Sequence, residues 1–204
     1  MSVKCIVSAL FVERNGCYSA LKNIDLWDKD RDARRYIGFN PVVAHPPCQR
    51  WGKMTKVNFA RWGGKHNVVG NDGGCFFSAL AAVRLNGGVL EHPAQTYAWP
   101  FFGLSKPEKN QWIKTKNGCG WVCEVWQSAY GHKANKATWL YYVGKKKPFD
   151  LIWERPIGLY QIGFQDQRGK LKNKPTLNKK EANATPLKFR DELIKLAMLS
   201  QETS

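Results

Sequence analysis

No stretch of this chain comes near the roughly twenty consecutive apolar residues that a membrane-spanning helix needs. The opening "MSVKCIVSALFVERNG" holds only a short apolar run before charged residues follow, which reads as a first strand and not as a signal peptide. Cysteine is sparse and unpatterned. The six, at 5, 17, 48, 75, 119 and 123, show neither a disulfide-scaffold spacing nor a CxxC pair. That favours a reduced, cytoplasmic setting over a secreted one. No internal repeat is visible. Negative charge is also scarce, with 16 acidic residues against 32 basic ones and a formal net charge of +16. Such an imbalance points to a polyanionic partner, above all nucleic acid. A solvated lysine surface is the plainer reading.

What is present suffices for one folded domain. Of 204 residues, 43% are hydrophobic and 13% aromatic, enough for a real core. Strands are expected over 4–11, 23–28, 41–45, 88–93, 121–127 and 138–144. "DGGCFFSALAAVRLNGG" (72–88) reads as a helix, with Asp72 to cap it and "NGG" to stop it. A closing amphipathic helix is expected over 185–200, with Phe189, Leu193 and Leu196 on one face. Strand–helix–strand order with short apolar strands predicts a mostly parallel α/β sheet with helices on both faces. The division falls at 144, between an α/β core over 1–144 and a basic segment over 145–204 whose final helix packs on that core. The lysine-rich stretches "GKKKPF" and "RGKLKNKPTLNKK" make Lys145, Lys146, Lys147, Arg168, Lys170 and Lys172 the expected phosphate-backbone contacts.

The chemistry-bearing residues gather at strand ends, where ligands of such sheets sit. In "PVVAHPPCQRWG" (41–52), two prolines enforce a stiff, extended exit from a strand and put Cys48 at its tip. "GVLEHP" (88–93) brings Glu91 to the end of the strand after one helix. In a right-handed β-α-β unit those two strands are neighbours or next neighbours. A thiolate beside a protonatable carboxylate is the pair needed to attack an electron-poor ring and protonate it. The alternative is a buried turn thiol and a capping or salt-bridge carboxylate. His45 is placed to lower the pKa of Cys48 or to serve as a strand-end hydrogen bonder. Cys119, Cys123 and His132 form a weak zinc pattern. Trp51, Trp62, Trp99 and Trp112 flank the site, as base-stacking or core side chains.

"HPPCQRWG" resembles the Pro-Cys-Gln motif of DNA (cytosine-5) methyltransferases, and "LEHP" falls where their Glu-Asn-Val motif stands. "YGHKANKATWLYYVG" (130–144) is similar to their "YG…QxRxR…VG" block, with Lys136 at the first arginine position. "ALFVERNGCYSAL" (9–21) resembles their opening strand and loop, and "WDKDRDARRY" (27–36) their acidic second-strand end. The five blocks keep their order over residues 4–144. The resemblance implies a Rossmann-like, methyltransferase-like sheet in a small, phage-encoded form. It implies that Cys48 attacks C6 of a flipped cytosine in DNA while Glu91 protonates N3 and Lys136 helps hold the ring or backbone. It also implies S-adenosylmethionine near Phe11, Gly16, Asp28, Asp30 and Pro47. There are departures. The loop that is glycine-rich in the family reads Glu13-Arg14-Asn15-Gly16 here. His92 replaces the asparagine after the glutamate, Ala134 and Thr138 stand at the glutamine and second-arginine positions, and no large target-recognition domain follows residue 144. Two further readings follow from these departures: a catalytically silent basic DNA-binding relative, and a pyrimidine-modifying enzyme with another one-carbon donor.

Overall fold

The computed structural model describes residues 6–163 and 174–202. Among the described residues, seven strands form one sheet in the order β2-β1-β3-β4-β7-β6-β5. The strands are β1 (Val7–Leu10), β2 (Ile24–Trp27), β3 (Val42–Ala44), β4 (Gly88–Pro93), β5 (Ile113–Lys114), β6 (Trp121–Trp126) and β7 (Ala137–Val143). The helices are α1 (Lys53–Trp62), α2 (Cys75–Asn86), α3 (Ala98–Phe101), α4 (Lys179–Asn183) and α5 (Leu187–Leu199). No helix among the described residues is long and apolar enough to cross a membrane.

The expected mostly parallel, Rossmann-like sheet with helices on both faces is not what forms. β2–β1, β1–β3 and β3–β4 pair in parallel, but β4–β7, β7–β6 and β6–β5 pair antiparallel. The reason lies in the connections. A parallel pair needs a crossover of about a dozen residues or more, usually helical. β5 and β6 are joined by the tight turn over 115–120, and β6 and β7 by the connector over 127–136, with no α-helix in either. The β-α-β pattern of the first half therefore stops at β4, and the sheet is mixed.

Period-two alternation in β4 and β7 splits the core in two. Val7, Ala9, Val43, Val89 and Leu140 face one side, where α5 packs Phe189, Leu193 and Leu196 against them. Each of these α5 side chains is fully buried, which contributes about 2 kcal/mol apiece. Leu10, Val42, Ala44, Leu90 and Tyr141 face the other side, under Phe76, Leu80 and Val83 of α2. Asp72 starts α2 from just outside it. Its carboxylate accepts the N–H groups of Gly74 and Phe76 and the Trp51 indole N–H, at 2.8–2.9 Å. Because β7 runs against both neighbours, the rim at the carboxyl ends of β3 and β4 also holds the end of β6 and the start of β7.

Gly88, where β4 begins, has φ +118° and pairs with Val42; a Cβ there would overlap the Val42 backbone. Gly88→Ala should therefore destabilise the fold by roughly 3 kcal/mol or more in urea melts. Gly118→Ala, also at positive φ (+72°) but with open space around it, should cost about 1 kcal/mol.

Candidate functional site

The double proline does what its chemistry requires. His45 N–H still bonds to the Leu10 carbonyl (3.0 Å), and the chain then leaves the sheet through Pro46 and Pro47. Trp51 N–H closes a turn on the Cys48 carbonyl (2.9 Å), and the Trp51 ring is buried among Phe76, Phe101 and Phe102. Cys48 is thus held between a stiff exit and a buried indole. It is half-buried.

Glu91 lies inside β4, opposite Leu140 of β7, on the face it shares with Tyr18. Its side chain is only 10% exposed, and both oxygens are engaged. His45 Nδ1 lies 2.9 Å from Oε2, and Gln127 Nε2 donates to Oε1 at 3.2 Å. Gln127 Nε2 also reaches Thr138 Oγ1 (2.9 Å), and Tyr18 Oη lies 2.9 Å from His45 Nε2. The network is complete with the proton on Nδ1 and Tyr18 donating to Nε2. Burial pushes the Glu91 carboxyl up, but the His45 hydrogen bond and charge, aided by Lys136 and His92, bring it down to about 2. Glu91 is therefore held as a carboxylate, not as the acid that protonation of a ring demands at rest.

Burial raises the Cys48 thiol above its ordinary value; the Glu91 charge adds to this and Lys136 opposes it. The three residues expected to act together, Cys48, Glu91 and Lys136, thus lie within electrostatic reach of one another. Lys136 Nζ donates to the carbonyls of Asn183 and Ala184 (3.3 Å each), tying the start of β7 to the segment before α5. His45 answers Glu91 instead of activating Cys48. Sequence reasoning missed Tyr18, Gln127 and Thr138. Gln127, fully buried at the end of an apolar strand, offered the best signal.

The expected cofactor residues are close together but engaged with one another. Phe11 has φ +60°, and its N–H bonds to the Trp27 carbonyl. Gly16 closes a turn onto the Glu13 carbonyl (2.9 Å), so its glycine serves the turn. Asp28 Oδ1 accepts the N–H groups of Asp30 and Arg31, at 3.0 Å each, and its other oxygen faces Arg14 Nε at 3.9 Å. The Arg31 N–H leads the contributions that lower the Asp28 carboxyl. Arg14 also pairs with Asp30 at 3.3 Å. Asp28 Oδ1 is thus committed to the turn after β2, while Asp28 Oδ2 and the exposed Asp30 keep acceptor capacity beyond their Arg14 contacts. Pro47 sits by the fully buried His92, near enough to favour its proton but outside hydrogen-bond geometry.

Lys145, Lys146 and Lys147 leave β7 at the rim opposite Cys48, about 20 Å along a seven-residue strand. Lys146 pairs with Glu202 (3.1 Å). Arg168, Lys170 and Lys172 lie outside the described residues. The basic residues beside the Cys48 loop are instead Lys53, Lys56 and Arg61 of α1. Trp51, Trp99 and Trp112 are core residues, and Trp62 is 65% exposed. Among the described residues no three His, Cys, Asp or Glu side chains converge, so the zinc pattern has no counterpart. No known family model and no curated protein matches the chain.

His92 lies edge-on to Phe76 (5.1 Å) and stacked with Trp99 (6.2 Å), with neither ring nitrogen hydrogen-bonded. Burial lowers it from 6.5 to about 4, against the pull of Glu91. A histidine depressed on folding contributes stability that is full above its unfolded value and lost as the pH falls through its folded value. Urea midpoints should therefore drop between about pH 6.5 and 4, a loss of roughly 3 kcal/mol. His92→Phe forfeits no hydrogen bond and should flatten that window. The Glu91 contribution, lost between 4.5 and about 2, should remain.

Proposed function

We propose that this chain modifies cytosine at C5 by covalent addition, the chemistry of the DNA (cytosine-5) methyltransferases that its motifs resemble. One observation carries the reading: a carboxylate fixed on both oxygens by His45 and Gln127 in β4, next to β3, whose proline exit carries a half-buried thiol. DNA is the proposed substrate, supported by the net charge of +16 and by the cations of α1 beside the Cys48 loop.

Cys48 rests as a thiol and Glu91 as a carboxylate, so one proton must move in two stages. As the sulfur closes on C6, Glu91 takes the thiol proton; as charge builds on the ring, it hands that proton to N3. Entry of a base excludes water and strengthens the burial that already pushes the Glu91 carboxyl up, bringing donor and acceptor closer in affinity. The Sγ–C6 bond forms, the C5–C6 π pair is released into the ring, and C5 becomes an enamine carbon able to attack an electrophilic one-carbon unit. Loss of the C5 proton to water, return of the N3 proton to Glu91, and expulsion of the Cys48 sulfur, which takes that proton back as a thiol, restore the ring. His45, backed by Tyr18, holds Glu91 in place throughout. The target base must leave the duplex stack to meet these groups.

The addition can be followed without a donor. In D₂O a reversible adduct lets C5 take a deuteron and lose its proton, so mass spectrometry should show one deuterium gained per target cytosine. Cys48→Ser should abolish the exchange, Glu91→Gln should slow it by about 10²-fold or more, and His45→Gln should slow it by about tenfold. Oligonucleotides exchanging faster than free deoxycytidine monophosphate would support DNA as the substrate. An unaltered C5 hydrogen in duplex, single strand and nucleotide alike would overturn the proposal, as would equal exchange by Cys48→Ser.

A further inference from the structure

The rim opposite Cys48 carries a cleft of about 450 Å³, within the range of small-molecule sites. Three cations converge on it from separate elements: Arg84 from α2, Lys114 from β5 and Lys145 from the end of β7. None of the described residues lining it is acidic, and none of the three cations forms an ion pair among the described residues. Exposed lysines and arginines are usually dispersed or paired; three that close on one concavity without a counter-charge leave a site of positive potential.

The walls add a second kind of contact. Trp121, half-buried at the start of β6, lines the cleft, with Lys114 Nζ 5.8 Å from its ring centroid. Arg84 is oriented over the Tyr141 ring (5.8 Å), its Nε 3.4 Å from the Tyr141 hydroxyl. That hydroxyl is itself anchored on the Cys119 carbonyl (2.8 Å). The β5–β6 turn supplies bare backbone. Gly118 (φ +72°) and Gly120 (φ +144°) both sit at positive φ, and a Cβ on Gly120 would overlap the Tyr142 carbonyl. We infer that this cleft binds a nucleotide phosphate, held by Arg84, Lys114 and Lys145, with its base against Trp121. The chemistry is that of phosphate clamping by cations beside an aromatic platform. The same group comes from a free nucleotide or from one residue of a nucleic-acid strand. Either way the site is separate from the Cys48 rim.

Calorimetry on the full chain at low salt tests this with three probes: inorganic phosphate, adenosine monophosphate and a ten-nucleotide single strand. Adenosine monophosphate should bind more tightly than phosphate. Arg84→Gln and Lys114→Gln should each weaken it at least fivefold and together at least twentyfold, with unchanged thermal melts. Lys114 is exposed on a two-residue edge strand, so its variant serves if Arg84→Gln fails to fold. A strand binding more than tenfold tighter than the mononucleotide, with the same sensitivity to the variants, identifies nucleic acid as the source; equal affinities identify a free nucleotide. Absence of binding by all three probes, or binding unchanged in the double variant, overturns the assignment.

Discussion

A carboxylate buried in the middle of a strand is costly unless its charge is answered, and the answer given to Glu91 organises much of this molecule. Its network draws on four places: His45 from the tail of β3 and Gln127 from the end of β6 bind the carboxylate, and Tyr18 from the turn after β1 and Thr138 from β7 bind those two. These contacts also specify register. Val89 and Glu91 face the α5 side, and Leu90 and His92 face the α2 side. A slip of β4 by one residue would drive the carboxylate into the aromatic cluster of Phe76 and Trp99 and leave His45 without its partner. The Glu91–His45 hydrogen bond thus selects one alignment of β3, β4 and β7, whatever its net contribution to stability.

The reversed direction of β7 makes the rim around Glu91 richer than a wholly parallel sheet would. The start of β7 lies beside the ends of β4 and β6, so Lys136 and Thr138 stand near Glu91 although they open a strand instead of closing one. Lys136 then reaches the carbonyls just before α5. The Lys136 charge felt at Cys48 and Glu91 is therefore fixed by the end of α4, the segment that leads into the helix sealing one face of the sheet.

Most of the regular elements could be read from the sequence because their signals are local. β4 and β7 are apolar runs between turn formers, α2 has Asp72 before it and Gly87 after it, and α5 shows its stripe at Phe189, Leu193 and Leu196. What escaped reading was non-local or weakly patterned. The antiparallel half of the sheet depends on short connections whose consequence appears only when β7 is seen inserted between β4 and β6. α1 buries only Thr55, so its sequence carries no apolar stripe to announce it. Cys48 was legible because the prolines flag it, and Glu91 because it is the one acidic residue of an apolar run, although it lies inside β4 and not at its end. The ionisation of Glu91 was not, since it turns on Tyr18 and His45, 27 positions apart, meeting at one hydrogen bond.

The acidic end of β2 reads as a ligand site in the sequence, yet Asp28 has a sufficient structural reason to be where it is. By accepting the N–H groups of Asp30 and Arg31 it closes the turn that leaves β2, a local role that needs no ligand. Arg14 stands in the loop that is glycine-rich in the family and spans both carboxylates. An ion pair of a side chain 74% exposed adds little stability. The Glu91 network of His45, Tyr18, Gln127 and Thr138 shares no residue with the turn that leaves β2, so the ends of β2 and β4 are built independently of each other.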